Sequence, residues 1–258
     1  MEISKELIAF VQNNPRNFLD GSKIRIYDAP LIGIAAADDP LFDQFSSTKI
    51  LGPSFLKPDF WLPGAQSVIC YFLPFTRTVR MSNQKPGLPS REWIAARKEG
   101  EEFNNAIRRY LTGLLTGQGA NAAAPALDSR FNITDRISNW SERHAAFAAG
   151  LGTFGLHRAL ITAKGSAGRI GSVITTLHVE PTKRPYTRFD EYCLYLTRGT
   201  CRACMKRCPP AAISNEGKDN AICQSYMYCE YPSGNHPRFS CAKCNISVPC
   251  EDRIPVQI

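Results

Sequence analysis

The sequence lacks the long apolar runs and the leader that would place a protein in a membrane or send it across one. No stretch approaches the length of a transmembrane helix. The first residues, MEISKELIAFVQNN, carry acids and no uninterrupted apolar segment, so they do not resemble a secretory signal. We therefore expect a cytoplasmic protein with no membrane association. In a reducing cytosol, clustered cysteines are more often metal ligands than disulfides.

The sequence also lacks the compositional bias of disordered, collagen-like or coiled-coil chains. Of 258 residues, 43% are hydrophobic and 21% are charged, which is ordinary globular composition. No Ser/Gly-rich linker, internal repeat or dedicated basic tract is evident. The net charge of +8 gives only weak support for a nucleic-acid partner, because Lys and Arg are scattered along the chain.

Apolar periodicity predicts the main helices. Ile3, Leu7 and Val11 recur at helical spacing and predict a first helix that ends near Asn13. The segment from Pro89 to Leu115 carries a regular apolar face and predicts a long helix against the core. A further helix is predicted at NWSERHAAFAAG, with glycines at its end.

Other segments are expected to form strands or loops. QSVICYFLPF predicts a strand that ends at Pro74, and KIRIYDAPLIGIAAA has strand-like material broken by Pro30. We expect two strands joined by a Gly-rich turn in ALITAKGSAGRIGSVITTLHVEP, the second from about Ser172 to Val179. The small-residue stretch GQGANAAAPALDSR is expected to be a loop that lines a site.

Gly150, Gly152 and Gly155 in GLGTFG match the dinucleotide fingerprint GxGxxG, but the context is wrong for it. That fingerprint requires a strand before the glycines and a helix after them, whereas here they follow a predicted helix. The acid expected about twenty residues later is also missing. Two other interpretations stay open: a helix end followed by a tight turn, or a close approach of the backbone to a flat cofactor.

Cysteines provide the strongest signal, since nine of the ten lie between Cys193 and Cys250. Cys201, Cys204 and Cys208 have the spacing CxxCxxxCP, which matches the last three ligands of the bacterial ferredoxin run. Arg198 stands where the first ligand of that run is expected. A thiolate must therefore come from elsewhere, and Cys193 is the nearest candidate.

In two-cluster ferredoxins the fourth cysteine of each run ligates the other cluster. The same logic predicts two interleaved sets of ligands for two 4Fe-4S clusters. The first set is Cys193, Cys201, Cys204 and Cys250, and the second is Cys208, Cys223, Cys241 and Cys244. Cys229 is an open alternative to Cys223, and Cys70 lies outside both sets as a small buried hydrophobe. Zinc is the main competing metal, because paired CxxC motifs also form zinc ribbons.

With these motifs in view, the chain resembles the epoxyqueuosine reductase family, which is related to the reductive dehalogenases. The resemblance covers most of the chain and rests on LPGAQSVICYFLPF, on WSERHAAFAAGLGTFGLHRALIT, and on GTCRACMKRCP with CNISVPCEDRIP. It implies an α+β protein with a nitroreductase-like α/β domain over residues 1–185. A small ferredoxin-like module with two 4Fe-4S clusters would occupy residues 186–258.

The resemblance further implies an iron-sulfur oxidoreductase in which the clusters pass single electrons to cobalamin or to a substrate. Three departures from the family bear on this. Ala122 stands where the family has an Asp proposed as proton donor. The family's C-terminal helical-repeat extension is not seen before Ile258, and the ligand pattern is altered at Arg198 and at the VPC segment that ends in Cys250. We therefore expect tRNA to be an unlikely partner, and a small molecule together with a redox donor such as ferredoxin or flavodoxin to be suitable ones. The alternative is an electron-transfer protein that serves a separate enzyme and binds no corrinoid.

Candidate catalytic residues come from the segment Ser141 to His144. Arg143 is suited to neutralising an anionic substrate, and His144 to transferring a proton near neutral pH. Capping and packing within a helix would explain the same residues without a catalytic role. Gly150, Gly152 and Gly155 are candidate cofactor contacts.

Overall fold

The computed structural model describes residues 2–134, 137–230 and 241–256. The α-helices are α1 (Glu2–Asn13), α2 (Pro40–Phe45), α3 (Pro58–Trp61), α4 (Arg77–Ser82), α5 (Arg91–Gly117), α6 (Glu142–Ala148), α7 (Leu194–Arg198), α8 (Ala203–Arg207) and α9 (Asn220–Glu230). The strands are β1 (Leu31–Ala36), β2 (Ser67–Pro74), β3 (Ala122–Ala123), β4 (Ile133–Thr134), β5 (Ile137–Ser138), β6 (Gly152–Phe154), β7 (Leu160–Thr162), β8 (Gly168–Thr175), β9 (Ile213–Ser214) and β10 (Gly217–Lys218). None of the helices in these ranges is both long and apolar enough to cross a membrane.

The central sheet is antiparallel, in the order β1-β2-β8-β3. Strand β2 lies inside it and is buried at every position. Its side chains alternate between two apolar layers, as the pleat of a strand requires. Ile69, Tyr71 and Leu73 pack in the layer that contains α1 and α5, while Val68, Cys70 and Phe72 pack in the layer that contains α2 and α6. The sheet is therefore covered by helices on both faces.

The long helix α5 supplies much of one layer. Phe103, Ile107 and Leu111 recur every three to four residues and are almost completely buried, which is the spacing that places them on one helical face. Ser90 begins the helix by accepting a hydrogen bond from the Trp93 amide at 3.0 Å, and such a capping hydroxyl satisfies an amide that has no partner within the helix. The face pattern and the cap together explain why this segment is helical.

Most of the predicted elements are confirmed. The first helix, the long helix, the helix before the glycine motif and the strand that ends at Pro74 correspond to α1, α5, α6 and β2. The strand-like segment around Pro30 contains β1, preceded by isolated bridges at Arg25 and Tyr27.

Two predictions were wrong. The second strand of the Gly-rich segment runs over Gly168–Thr175 rather than Ser172–Val179, and it pairs with β2 while β7 pairs with β6. Its glycines lie in the strand because neighbouring atoms leave no room for a side chain: a Cβ at Gly171 would stand 2.3 Å from the Tyr71 hydroxyl. The small-residue segment was expected to be a loop, but Ala122–Ala123 pairs with β8.

The cysteine-rich part begins after the sheet and contains α7, α8, the β9–β10 hairpin and α9. It packs against α4 and the residues that follow it. Arg80 forms ion pairs with Glu251 at 2.8 Å and Asp252 at 3.1 Å, and Arg207 donates to the Gln84 carbonyl at 2.8 Å. These contacts fix the last described residues against the sheet-forming part.

Candidate metal centres

The first cysteine group lies around one small cavity. Cys193, Cys201, Cys204 and Cys250 all line one small cavity, together with Leu156. Burial, together with the neighbouring Cys193 and Cys201 thiols, raises the pKa of the Cys204 thiol to about 11. Burial likewise raises the pKa of the Cys250 thiol to about 12, with contributions from the other three thiols. The four sulfurs are therefore electrostatic neighbours in an apolar setting.

A second group is formed by Cys208, Cys223, Cys241 and Cys244. Burial raises the pKa of the Cys244 thiol to about 12, and the Cys241, Cys208 and Cys223 thiols add to this effect. Cys241 is affected by Cys223 and Cys208 in the same way. Lys218 opposes the rise at Cys208, Cys241 and Cys244. This group thus has a cation close by.

The two groups interleave along the chain. Cys250, the last cysteine in the sequence, lies near Cys193, Cys201 and Cys204. Cys208 belongs to the CxxCxxxC run, but it lies near Cys223 of the downstream cysteines. Each group brings together the cysteines of one expected ligand set, and their binding of clusters stays a prediction. Cys70 lies away from both in β2, and the side chain of Cys229 lies outside the described residues.

The donor chemistry suits iron-sulfur clusters. All eight thiols are free of disulfides, and four thiolates are the usual ligand set of a 4Fe-4S cluster. Within the described ranges, no three His, Cys, Asp or Glu side chains converge closely enough for a single metal ion. The four thiolates of a cubane each bind a different iron atom, so they converge less closely than the ligands of one ion.

One further residue, which the sequence did not single out, contacts the first group. His157 is 3% exposed, and its Nε2 lies 3.3 Å from Cys250 Sγ. Its Nδ1 accepts a hydrogen bond from the Ala159 amide at 3.0 Å. The only sequence signal for this histidine is its position two residues after the glycine motif.

A lysine inside the last CxxC pair was also missed. Lys243 is 1% exposed, and its Nζ donates to the Asn83 carbonyl at 2.9 Å, to Asn83 Oδ1 at 2.9 Å and to the Lys85 carbonyl at 2.6 Å. Asn83 in turn donates to the Cys241 carbonyl at 2.9 Å. The second cysteine group is therefore attached to the end of α4 by a buried ammonium group.

The glycines proposed as cofactor contacts have neighbours from their own chain. A Cβ at Gly152 would stand 2.1 Å from the Ile161 carbonyl oxygen, across the β6–β7 pair. A Cβ at Gly155 would stand 2.8 Å from Cε1 of His157. Gly150 has φ +81° just after α6, a conformation that favours glycine at a helix end. These surroundings explain all three glycines without a bound cofactor.

The candidates in α6 are also engaged internally. His144 Nδ1 lies 2.8 Å from Ser141 Oγ, and the ring packs against Phe45 and Phe154. Burial, together with the positive charge of Arg143, lowers the pKa of His144 to about 3, so the imidazole is neutral at pH 7. Arg143 donates to the Arg158 carbonyl at 2.6 Å.

A neighbouring carboxylate belongs to a buried network that the sequence did not indicate. Glu142 accepts hydrogen bonds from Arg108 at 2.9 Å and from Ser172, and Arg108 also pairs with Glu101. Burial raises the pKa of Glu142, and the Arg108 guanidinium opposes that rise. The network joins α5 and α6 to the sheet.

Comparisons with known proteins bear on this arrangement. No protein-family model matches the chain. An epoxyqueuosine reductase from Listeria monocytogenes is 32% identical over 228 residues, which are 88% of this chain and 54% of the relative. The chain thus spans about half the length of that curated relative.

Solved structures show the same fold. The epoxyqueuosine reductase of Bacillus subtilis aligns with a TM-score of 0.57 at 16% identity, over 99% of this chain and 67% of its own. The catabolic reductive dehalogenase NpRdhA aligns with a TM-score of 0.55 at 15% identity, over 88% of this chain and 30% of its own. Another epoxyqueuosine reductase structure contains a tRNA stem loop, and a reductive dehalogenase structure is described as suggesting a B12-dependent mechanism. The resemblance to epoxyqueuosine reductases and reductive dehalogenases is confirmed.

Proposed function

We propose that the chain is an iron-sulfur oxidoreductase that binds two 4Fe-4S clusters, one in each cysteine group. The observation that carries the proposal is that eight cysteines from separate parts of the sequence gather into two groups of four electrostatic neighbours. Clusters held in this way accept and release single electrons at potentials set by their surroundings. Cys193, Cys201, Cys204 and Cys250 would hold one cluster, and Cys208, Cys223, Cys241 and Cys244 the other.

Residues 1–185 would form the α/β domain that binds a substrate or corrinoid, and residues 186–258 the cluster module. The curated relative and the structural neighbours support this division, because they include epoxyqueuosine reductases and a dehalogenase described as B12-dependent. The nitroreductase-like and ferredoxin-like descriptions of the two parts belong to the same proposal.

A second function is favoured by a specific observation. The glycines and the α6 residues that were candidates for a cofactor or a catalytic role all contact their own chain. Their intrachain contacts account for them without a corrinoid. An electron-transfer protein that serves a separate enzyme would need no corrinoid site.

The proposed partners are a redox donor such as ferredoxin or flavodoxin and, for the first function, a small-molecule substrate. One structural neighbour was determined with a tRNA stem loop, so a tRNA substrate belongs among the compounds tested. A cytoplasmic location is part of the same proposal.

Protein purified and reconstituted without oxygen tests the cluster assignment. We expect about eight irons per chain, with broad absorption near 400 nm that bleaches on reduction. A protein that contains zinc and no iron after this treatment would overturn the proposal. Cobalamin added before gel filtration then separates the two functions: a retained corrinoid favours the reductase with its own cofactor, and clusters without a corrinoid favour electron transfer.

A further inference from the structure

The last glycine of the GLGTFG motif faces a histidine rather than a ligand. The β6–β7 hairpin turns over residues 155–159, where the Gly155 amide donates to the Ala159 carbonyl at 2.9 Å and the Arg158 amide donates to the Gly155 carbonyl at 2.8 Å. His157 lies in this turn. A Cβ at Gly155 would stand 2.8 Å from its Cε1 and 3.1 Å from its Nε2. Gly155 therefore leaves the space that the imidazole occupies.

The backbone of the turn determines which ring nitrogen carries hydrogen. The Ala159 amide donates to Nδ1 of His157 at 3.0 Å, so the lone pair of Nδ1 points to that amide. In a neutral imidazole one nitrogen accepts and the other donates, and Nε2 is then the donor. Nε2 lies 3.3 Å from Cys250 Sγ, within hydrogen-bond reach of a sulfur acceptor.

The backbone of Cys250 is held by Ser166, whose hydroxyl also lies 3.9 Å from Cys250 Sγ. The amide and the hydroxyl of Ser166 both donate to the Cys250 carbonyl, at 2.9 Å and 3.0 Å. Arg143 donates to the Arg158 carbonyl at 2.6 Å and so fixes the histidine turn. The histidine turn and the Cys250 backbone are therefore each anchored by hydrogen bonds to the sheet-forming region.

We propose that His157 is a positioning residue that donates an Nε2–H···S hydrogen bond to the Cys250 thiolate and thereby raises the reduction potential of the first cluster relative to the second. The inference rests on the proposed function, because it concerns a cluster held by Cys250. Reduction adds negative charge to the cluster and its sulfurs, so a donor at a ligand sulfur favours the reduced form. Gly155 serves the same contact by leaving room for the ring.

The test uses the full chain with both clusters reconstituted and follows each cluster by EPR during a redox titration. His157→Leu removes the donor and is expected to shift one midpoint potential downward and leave the other unchanged. His157→Gln places an amide N–H near the position of Nε2 and is expected to restore much of the shift. His178→Leu, at an exposed histidine, is the matched control and should change neither potential.

A second readout follows the hydrogen bond itself. In protein labelled with ¹⁵N-histidine, pulsed EPR of the reduced first cluster should show a weak nitrogen coupling that His157→Leu loses and His178→Leu retains.

If His157→Leu prevents incorporation of the first cluster, Gly155→Ala tests the inference instead. This variant keeps the histidine but displaces its ring, so it should lower the potential of the first cluster. Full iron content with unshifted potentials, or no histidine coupling in the unmutated protein, would overturn the inference and leave the cluster proposal intact. Absence of iron from the unmutated protein would instead overturn the proposed function.

Discussion

The two cysteine groups have the same number of thiols but different surroundings. The first lines an apolar cavity with Leu156, and a neutral histidine contacts one of its sulfurs. The second has the cations Lys218 and Lys243 close to it. A positive charge favours the more negative, reduced form of a cluster, whereas an apolar setting disfavours it. Equal ligand sets are therefore expected to give unequal potentials. The cations favour reduction of the second cluster, and the His157 donor offsets part of this difference at the first.

Removing one ligand from each group has the largest expected effect. Cys204→Ser and Cys244→Ser should each lose one cluster and keep about four irons, because the two groups share no cysteine. Iron analysis and EPR of protein prepared without oxygen measure this. Cys70→Ala changes a buried thiol in β2 and should keep both clusters. Loss of all iron from either serine variant would contradict two independent groups.

The second prediction concerns the contact between Gly165 and residues 250–252, which include the ligand Cys250. Gly165 has φ +74°, and a Cβ there would stand 2.3 Å from the Asp252 amide nitrogen. Gly165→Ala should therefore displace residues 250–252 and destabilise the protein by about 1–3 kcal/mol beyond the cost of the backbone conformation. Denaturant unfolding of the reconstituted protein measures the change, and iron release should be faster from the first group.

Gly52→Ala provides the matched control for that variant. Gly52 has φ +85° and no atom within 4 Å of an added Cβ. It should show only the conformational cost of about 1 kcal/mol. Equal destabilisation by the two substitutions would show that the contact between residue 165 and residues 250–252 has no energetic consequence.

The third prediction removes the buried ammonium beside the second group. Lys243→Met retains the length of the side chain but leaves the Asn83 and Lys85 oxygens without their donor. We expect a loss of about 2 kcal/mol in the free energy of unfolding and a lower potential for the second cluster only. Denaturant unfolding and a redox titration measure the two effects. Lys206→Met, at an exposed position, should change neither.

The smallest expected effect is that of Lys218. It lowers the pKa values of three thiols of the second group and also acts on His157 beside the first. Lys218→Met should therefore lower both potentials, and the second more than the first. Redox titrations at low and high salt measure this, because salt screens a partly exposed charge. An equal shift at both clusters would remove this lysine as a source of the difference between them.

Local patterns account for the elements that were predicted correctly. The apolar spacing in α1 and α5 and the apolar run in β2 are properties of short segments. These elements can therefore be predicted without knowledge of their tertiary packing. Strand β8 was placed incorrectly because its glycines indicate a turn when read alone. In the structure, Gly168 and Gly171 are required by Phe72 and Tyr71 of the neighbouring strand, which are about a hundred positions away in sequence.

The sequence by itself determined the donor chemistry: the number of cysteines, their CxxC spacing and the expectation that the two sets interleave. Those features depend on residue type and short separations along the chain. Only the tertiary structure decided what surrounds each group. It placed the His157 ring against Cys250 and the Lys243 ammonium at the end of α4. These contacts join residues that are distant in sequence, and burial, which makes them strong, arises only when the chain has folded.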